Sequence, residues 1–160
     1  AFLDADDRWL PTKLSQQLAR MRADASIGFC STAARVEDPA GRLLNHWRCT
    51  GGGPNVLARL FAENAAIAGG CSAVMVRADL LQRIGLFDES LRGFEDPDLW
   101  IRLARRHRFA SVPRALVGYT RRAGSASQSY ERMVEQGRAV LAKARREDPR
   151  DLRDPQEGPP

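Results

Sequence analysis

Apolar and polar positions along the chain switch between a strand-like and a helix-like period, and the switch points mark out the elements. Residues 1–4 form an apolar stub that reads as the end of a buried strand, with Asp4, Asp6 and Asp7 where the chain leaves the sheet. Pro11 then opens a helix. Leu10, Leu14, Leu18 and Met21 recur at helical spacing and predict one apolar stripe. "SIGFCSTAARV" over 26–36 predicts a strand, "EDPAG" a turn, and 42–48 a strand that pairs back as a hairpin. "TGGGPN" at 50–55 reads as a loop, followed by a short helix carrying Val56, Leu57, Leu60 and Phe61.

The second half continues the mixture. "GGCSAVMVR" over 69–77 predicts a Gly-led strand, and "RADLLQRIG" a helix stopped by Gly85. An acid-rich loop leads to a helix over 97–107 with Leu99, Trp100 and Leu103 on one side. Short strands at 109–112 and 115–119 flank Pro113, and a last helix over 130–146 places Tyr130, Met133, Val134, Leu141 and Ala144 on one face. The alternation argues for an α/β domain over residues 1–147. Residues 148–160 hold four prolines and almost no apolar side chains, so a disordered tail is expected there.

Composition narrows the function classes. The chain has 160 residues, 43% hydrophobic and 28% charged, which suits one globular domain rather than a disordered segment. No apolar run reaches the roughly 18–20 residues of a membrane span. Cys30, Cys49 and Cys71 form no CxxC pair, and their odd number argues against a disulfide framework. His46 and His107 have no ligand-type neighbour at helical spacing, so they do not form a metal site.

The net charge of +5 is unevenly spread. Seven arginines and no acid lie between Arg102 and Tyr130, whereas acids cluster at 4–7 and 88–98. The last helix adds a basic face of Arg132, Arg138, Lys143, Arg145 and Arg146, which suggests a peripheral membrane contact. Nucleic acid is not expected as a partner, because aromatic residues do not interleave with the arginines.

Two acid clusters carry the candidate chemistry. Asp4 and Asp6 form a D-x-D at a strand exit, where α/β folds bind ligands, and paired hard oxygens suit Mg²⁺ or Mn²⁺. The alternative is a solvated turn that also starts the Pro11 helix. An EF-hand is excluded, since Trp9 and Ser15 stand where that loop needs Gly and Glu. In "GFEDPDLWIRLARR", Asp96 before Pro97 reads as a helix N-cap, yet it shares a stripe with Leu99, Trp100 and Leu103 and so faces the protein. Trp9, Phe94 and Trp100 are expected to pack the core.

Taken in order, "FLDADDRWL", "GLFDESL", "ED-x-DLW-x-RLA" and the closing "Y-x-R…GS-x-S" resemble the family 2 glycosyltransferases of the GT-A fold, over about residues 1–127. The resemblance implies a Rossmann-like nucleotide-diphospho-sugar transferase fold lacking its N-terminal strands, with residue 1 falling mid-domain. It implies an inverting transfer of a sugar from a nucleotide-diphosphate sugar donor to the hydroxyl of a saccharide or lipid-linked acceptor. Asp4 and Asp6 would hold the donor diphosphate through Mn²⁺ or Mg²⁺. Asp96 would be the general base, with Glu95 the second choice. Arg122 stands where the family often has a histidine; it cannot ligate a cation but could contact phosphate directly. Gly69, Gly70 and Cys71 would lie near the acceptor or the donor sugar. Such an enzyme would be cytoplasmic, at most peripheral at the inner face of the membrane, and this stretch alone is expected to be inactive. The rival expectation is a non-catalytic, degenerate module that binds a partner or a membrane through its basic helix.

Overall fold

A computed structural model describes residues 1–49, 56–62, 67–91, 93–122 and 130–147. The architecture is α/β, built on a mixed open sheet of five strands. The strands are β1 (Arg8–Trp9), β2 (Ile27–Glu37), β3 (Leu43–Trp47), β4 (Met75–Val76) and β5 (Arg108–Thr120). The helices are α1 (Lys13–Arg22), α2 (Val56–Ala62), α3 (Gly70–Ala73), α4 (Ala78–Ile84), α5 (Glu95–Ala104) and α6 (Tyr130–Glu147).

β2 is the spine. It runs parallel to β5 along one edge, and its other edge pairs antiparallel with β4 near Phe29 and with β3 from Ala34 onward. β1 closes the β5 side, with Arg8 opposite Gly118. Alternation along β2 sends Phe29 and Cys30 to opposite faces. Phe29 enters the larger core with Leu80, Leu99, Trp100, Leu103, Phe109 and Val140, stacking on Trp100 at 6.1 Å. Cys30 joins Met21, Ala110, Val112 and Leu116 under α1. Burial of each large apolar side chain contributes about 1.5–3 kcal/mol, so these two layers hold the sheet between helices.

The hairpin and the helices at 56–62, 78–84 and 130–147 form as the pattern predicts, and Gly85 ends α4 with a φ of 91° that favours glycine. Five expectations need correction. First, residues 1–4 are not a strand. Phe2 turns out of any ladder to pack edge-on against Phe87 at 5.3 Å, and Ala1, Leu3 and Asp4 are exposed. Second, α1 is rotated from the expected stripe. Leu14 and Leu18 face solvent, while Lys13, Gln17 and Met21 are buried. The rotation is set by Gln17, whose amide donates to the carbonyls of Cys30 (2.7 Å) and Ala73 (2.9 Å) and accepts from Lys13.

Third, the segment 69–77 opens with a helical turn rather than running as one strand. Gly69 and Gly70, at φ 75° and 54°, turn the chain into the single turn of α3, leaving only Met75–Val76 as strand. Fourth, α5 begins two residues earlier than expected, and its N-cap is Phe94 in the left-handed region at φ 62°. Asp96 therefore lies within the first turn and is not the cap. Fifth, Pro113 does not split β5; the strand continues through it, with register shifts against Thr32–Ala34 absorbing the irregularity. Residues 50–55 and the expected tail at 148–160 lie outside the described residues.

Trp100 packs the core as expected, Phe94 is half-buried against it, and Trp9 is half-buried and engaged by α3. All three cysteines are free. Among the described residues, no helix is long and apolar enough to cross a membrane.

Candidate active site

The first acid cluster is carried on a turn, closed by the Asp7 N–H donating to the Asp4 carbonyl at 3.1 Å. β1 separates this turn from α1, so "DADD" does not start the helix. Arg8 fixes the turn to the sheet. It and Arg35 each donate to the buried Glu37 carboxylate at 2.8 Å, with Gly118 leaving room where a Cβ would meet Glu37 Oε2 at 2.8 Å. Burial pulls Glu37 upward, but the two guanidinium groups outweigh it and hold the carboxyl below its ordinary range. Thr120, at the end of β5, donates its N–H to Asp7 Oδ1 at 2.8 Å and its hydroxyl to the Asp6 carbonyl.

α3 grips both acid clusters from one side. Ser72 Oγ accepts the Asp4 N–H at 3.0 Å, and the Ser72 carbonyl accepts the Trp9 indole N–H at 2.8 Å. Cys71 binds Asp96 twice: its N–H donates to Oδ2 at 3.0 Å and its Sγ–H to Oδ1 at 2.8 Å. A cleft of about 430 Å³ results, lined by Phe2, Leu3, Asp4, Cys71, Phe87, Glu95 and Asp96. Carboxylates distant in sequence thus share one wall.

Among the described residues that line the cleft, none is a cation that offsets these acids. Partial desolvation at the cleft wall pushes the Asp4 carboxyl up, and the charges of Asp6 and Glu95 push it further, against a lowering contribution from Ser72. Asp96 is likewise pushed up, first by burial and then by Glu95 and Asp4, while the two Cys71 hydrogen bonds work the other way. Burial and the facing Asp96 charge push the Cys71 thiol far up, so it is a protonated donor rather than a thiolate.

The remaining site residues fall as follows. Asp6 does not line the cleft; its carboxylate pairs with Arg122 Nε at 3.1 Å. Glu95 is exposed at the lip. Gly70 abuts Asp96, since a Cβ there would stand 3.3 Å from Oδ2, whereas Gly69 faces Ala34 and Ala73 and not the cleft. Of the arginine-rich stretch, much is structural: Arg102 binds Asp98 and three carbonyls of residues 84–86, Arg105 binds the Ala144 carbonyl, and Arg108 binds Asp24. Lys143 leaves the basic face of α6 to bridge Asp88 and Asp98, each at 2.8 Å.

Among the described residues, no three His, Cys, Asp or Glu side chains converge to hold an ion by themselves. Asp4 and Asp6 offer two carboxylates at most. Mg²⁺-type ions commonly take one or two carboxylates and complete their shell with water and phosphate oxygens. The crowding of like charge on Asp4 suits a cation, so the donor set fits such an ion together with a diphosphate.

Sequence reasoning passed over Ser72, Thr120, Phe2 and Phe87. The only local signal for Ser72 was its place beside Gly69–Cys71; the others are set by long-range contacts. No protein-family model matches the chain, and no curated protein matches it.

Proposed function

We propose that the chain carries the catalytic and acceptor-facing wall of an inverting glycosyltransferase that uses a nucleotide-diphosphate sugar. The observation that carries this reading is the sharing of one cleft wall by Asp4 and Asp96, beside Glu95 and Cys71.

In this reading Asp96 is the general base. Each oxygen of an ionised carboxylate has two acceptor positions. Cys71 occupies one on Oδ1 and one on Oδ2, which leaves one on each for an incoming hydroxyl. Burial makes Asp96 a stronger proton acceptor than a solvated aspartate, in the direction a base for an alcohol requires. Asp4 and Asp6 would hold a Mn²⁺ or Mg²⁺ ion together with the donor diphosphate, and such an ion would supply positive charge to the leaving diphosphate. Arg122 holds Asp6 and lies close enough to it to receive a phosphate oxygen in its place. Phe2 and Phe87, packed edge-on at 5.3 Å, give the cleft an apolar side.

The test is a screen of nucleotide-diphosphate sugars with Mn²⁺ or Mg²⁺, using the protein expressed from its full reading frame and reading release of nucleoside diphosphate. Turnover by the wild type is expected, with loss in Asp6→Ala and in Asp96→Asn, and donor affinity kept in the latter. Full turnover by Asp96→Asn would reduce Asp96 to a hydrogen-bond partner of α3 and overturn the reading.

A further inference from the structure

We propose that Cys71 is the positioning residue of this site: its thiol and its own N–H together fix the plane of the Asp96 carboxylate. The inference rests on the reading of Asp96 as the general base.

The geometry is unusual in that one residue serves both oxygens, Sγ–H to Oδ1 at 2.8 Å and N–H to Oδ2 at 3.0 Å. A single hydrogen bond leaves a carboxylate free to rotate about its terminal torsion, which is broad and two-fold for Asp. Two bonds from a rigid donor remove that freedom. The donor is rigid because α3 is one turn, entered through left-handed Gly69 and Gly70 and closed by the Val74 N–H on the Cys71 carbonyl at 3.0 Å. Gly70 leaves the room in which the carboxylate lies, since a Cβ there would stand only 3.3 Å from Oδ2.

The Cys71 thiol has no other hydrogen bond among the described residues. It is buried and in no disulfide, and burial, followed by the charge of the neighbouring carboxylate, keeps its proton on sulfur. The next residue, Ser72, holds the Asp4 backbone at 3.0 Å. Consecutive residues of α3 therefore set the base and the diphosphate end of the site relative to each other. Cys71 touches the acceptor's proton acceptor, not the reacting carbon, so its effect is on the rate and not on donor binding.

Two measurements test this. The first is the S–H stretching band in the infrared, read on the 160-residue chain and assigned by its loss in Cys71→Ala. A thiol donating to a carboxylate absorbs at lower frequency than one on a distant carbonyl, as for Cys30, whose nearest acceptor is 3.7 Å away. The Cys71 band is expected below that of Cys30 and to move up in Asp96→Ala. A band that ignores Asp96→Ala overturns the proposal without reference to any activity. The second is turnover with whichever donor the wild type accepts. Cys71→Ala is expected to lower kcat by about 10- to 100-fold with the donor KM unchanged, and Cys71→Ser, which restores a donor, to recover most of it. An unchanged kcat in Cys71→Ala overturns the positioning role. If no donor supports turnover in the wild type, the transfer reading falls, and the S–H band still decides whether Cys71 holds Asp96.

Discussion

Asp96 and Asp98 leave the same turn of α5 and meet opposite surroundings. Asp98 is 4% exposed and fully matched: Arg102 and Lys143 each reach it within 3 Å, at 2.9 Å and 2.8 Å. Lys143 also binds Asp88, and Arg102 ties in the carbonyls of residues 84–86, so this side of the helix joins α4, α5 and α6. Asp96, about half a turn round the helix, faces other acids and two neutral donors of Cys71. A helix that sends residues two apart to nearly opposite sides lets one carboxylate serve folding and the other chemistry. The difference shows that a carboxylate's work is set by whether its charge is answered, not by its place in a motif.

The largest expected effects come from the two acids themselves. Asp96→Asn is expected to lower kcat by about 10²–10⁴-fold, with urea unfolding showing stability held or slightly raised, because a buried charge that other acids oppose is gone. Asp98→Ala is expected to do the reverse. It takes the shared buried carboxylate from Arg102 and Lys143, which keep only their carbonyl and Asp88 partners, and loss of one partner from a buried pair costs up to about 3–5 kcal/mol, read in the urea midpoint. If the two variants gave the same pattern, the division of α5 into a folding side and a chemical side would be wrong.

Lys13 extends the comparison to a cation. It is fully buried, bonded to Gln17 and 4.4 Å above the Trp9 ring, with no carboxylate partner among its contacts. Burial lowers its amine from 10.5 to about 8. Between those two values the unfolded chain binds the extra proton, so stability is expected to rise with pH there, by about 2–3 kcal/mol. Lys13→Met should abolish that alkaline rise in urea midpoints, and a rise that survived the substitution would assign it elsewhere.

On the acid side the two kinds of carboxylate predict opposite signs. The folded pKa values of Asp4 and Asp96 lie above 3.8, so the folded chain binds protons first, and their contribution to stability grows as pH falls from neutral into that window. Asp88, bonded by Lys143 and Ser90, lies well below 3.8; its contribution is full above that value and is lost only as pH falls through its folded value. The urea midpoint of Asp96→Asn minus that of the wild type is expected to shrink on acidification toward about pH 4. A difference that stayed constant would show Asp96 to be unperturbed.

The smallest effect concerns Arg122, whose pair with Asp6 is largely exposed at 60% and 37%. Such pairs contribute about 0–1 kcal/mol, so Arg122→Ala is expected to tighten Mn²⁺ binding by less than about fivefold, measured by calorimetry. Weaker binding would show that Arg122 does not compete with the ion for Asp6.

Elements whose sequence signal is local were legible in the chain: the 27–37 strand with its turn and hairpin, α4 stopped at Gly85, and the long α6. The misreadings share a cause. The stripe of Leu14 and Leu18 was overruled by a buried amide that satisfies carbonyls of Cys30 and Ala73, two distant segments. The apolar stub at 1–4 was overruled by Phe2 packing on Phe87. Asp96 reads as a cap from its spacing before Pro97, yet its oxygens were taken by Cys71. Each time a long-range partner outweighed a local preference of a kilocalorie or so.

By itself the sequence determined the alternation of helix and strand, the absence of a disulfide framework, and the presence of two acid clusters with an arginine-rich stretch between the second and the last helix. Only the tertiary structure decided that Asp4, Glu95 and Asp96 share a cleft, that Asp98, Arg102, Arg105 and Arg108 serve the fold, and that α3 holds both acid groups. The reason is physical. Period and composition report what each segment buries, whereas the free energy of a charge depends on what stands across from it in space.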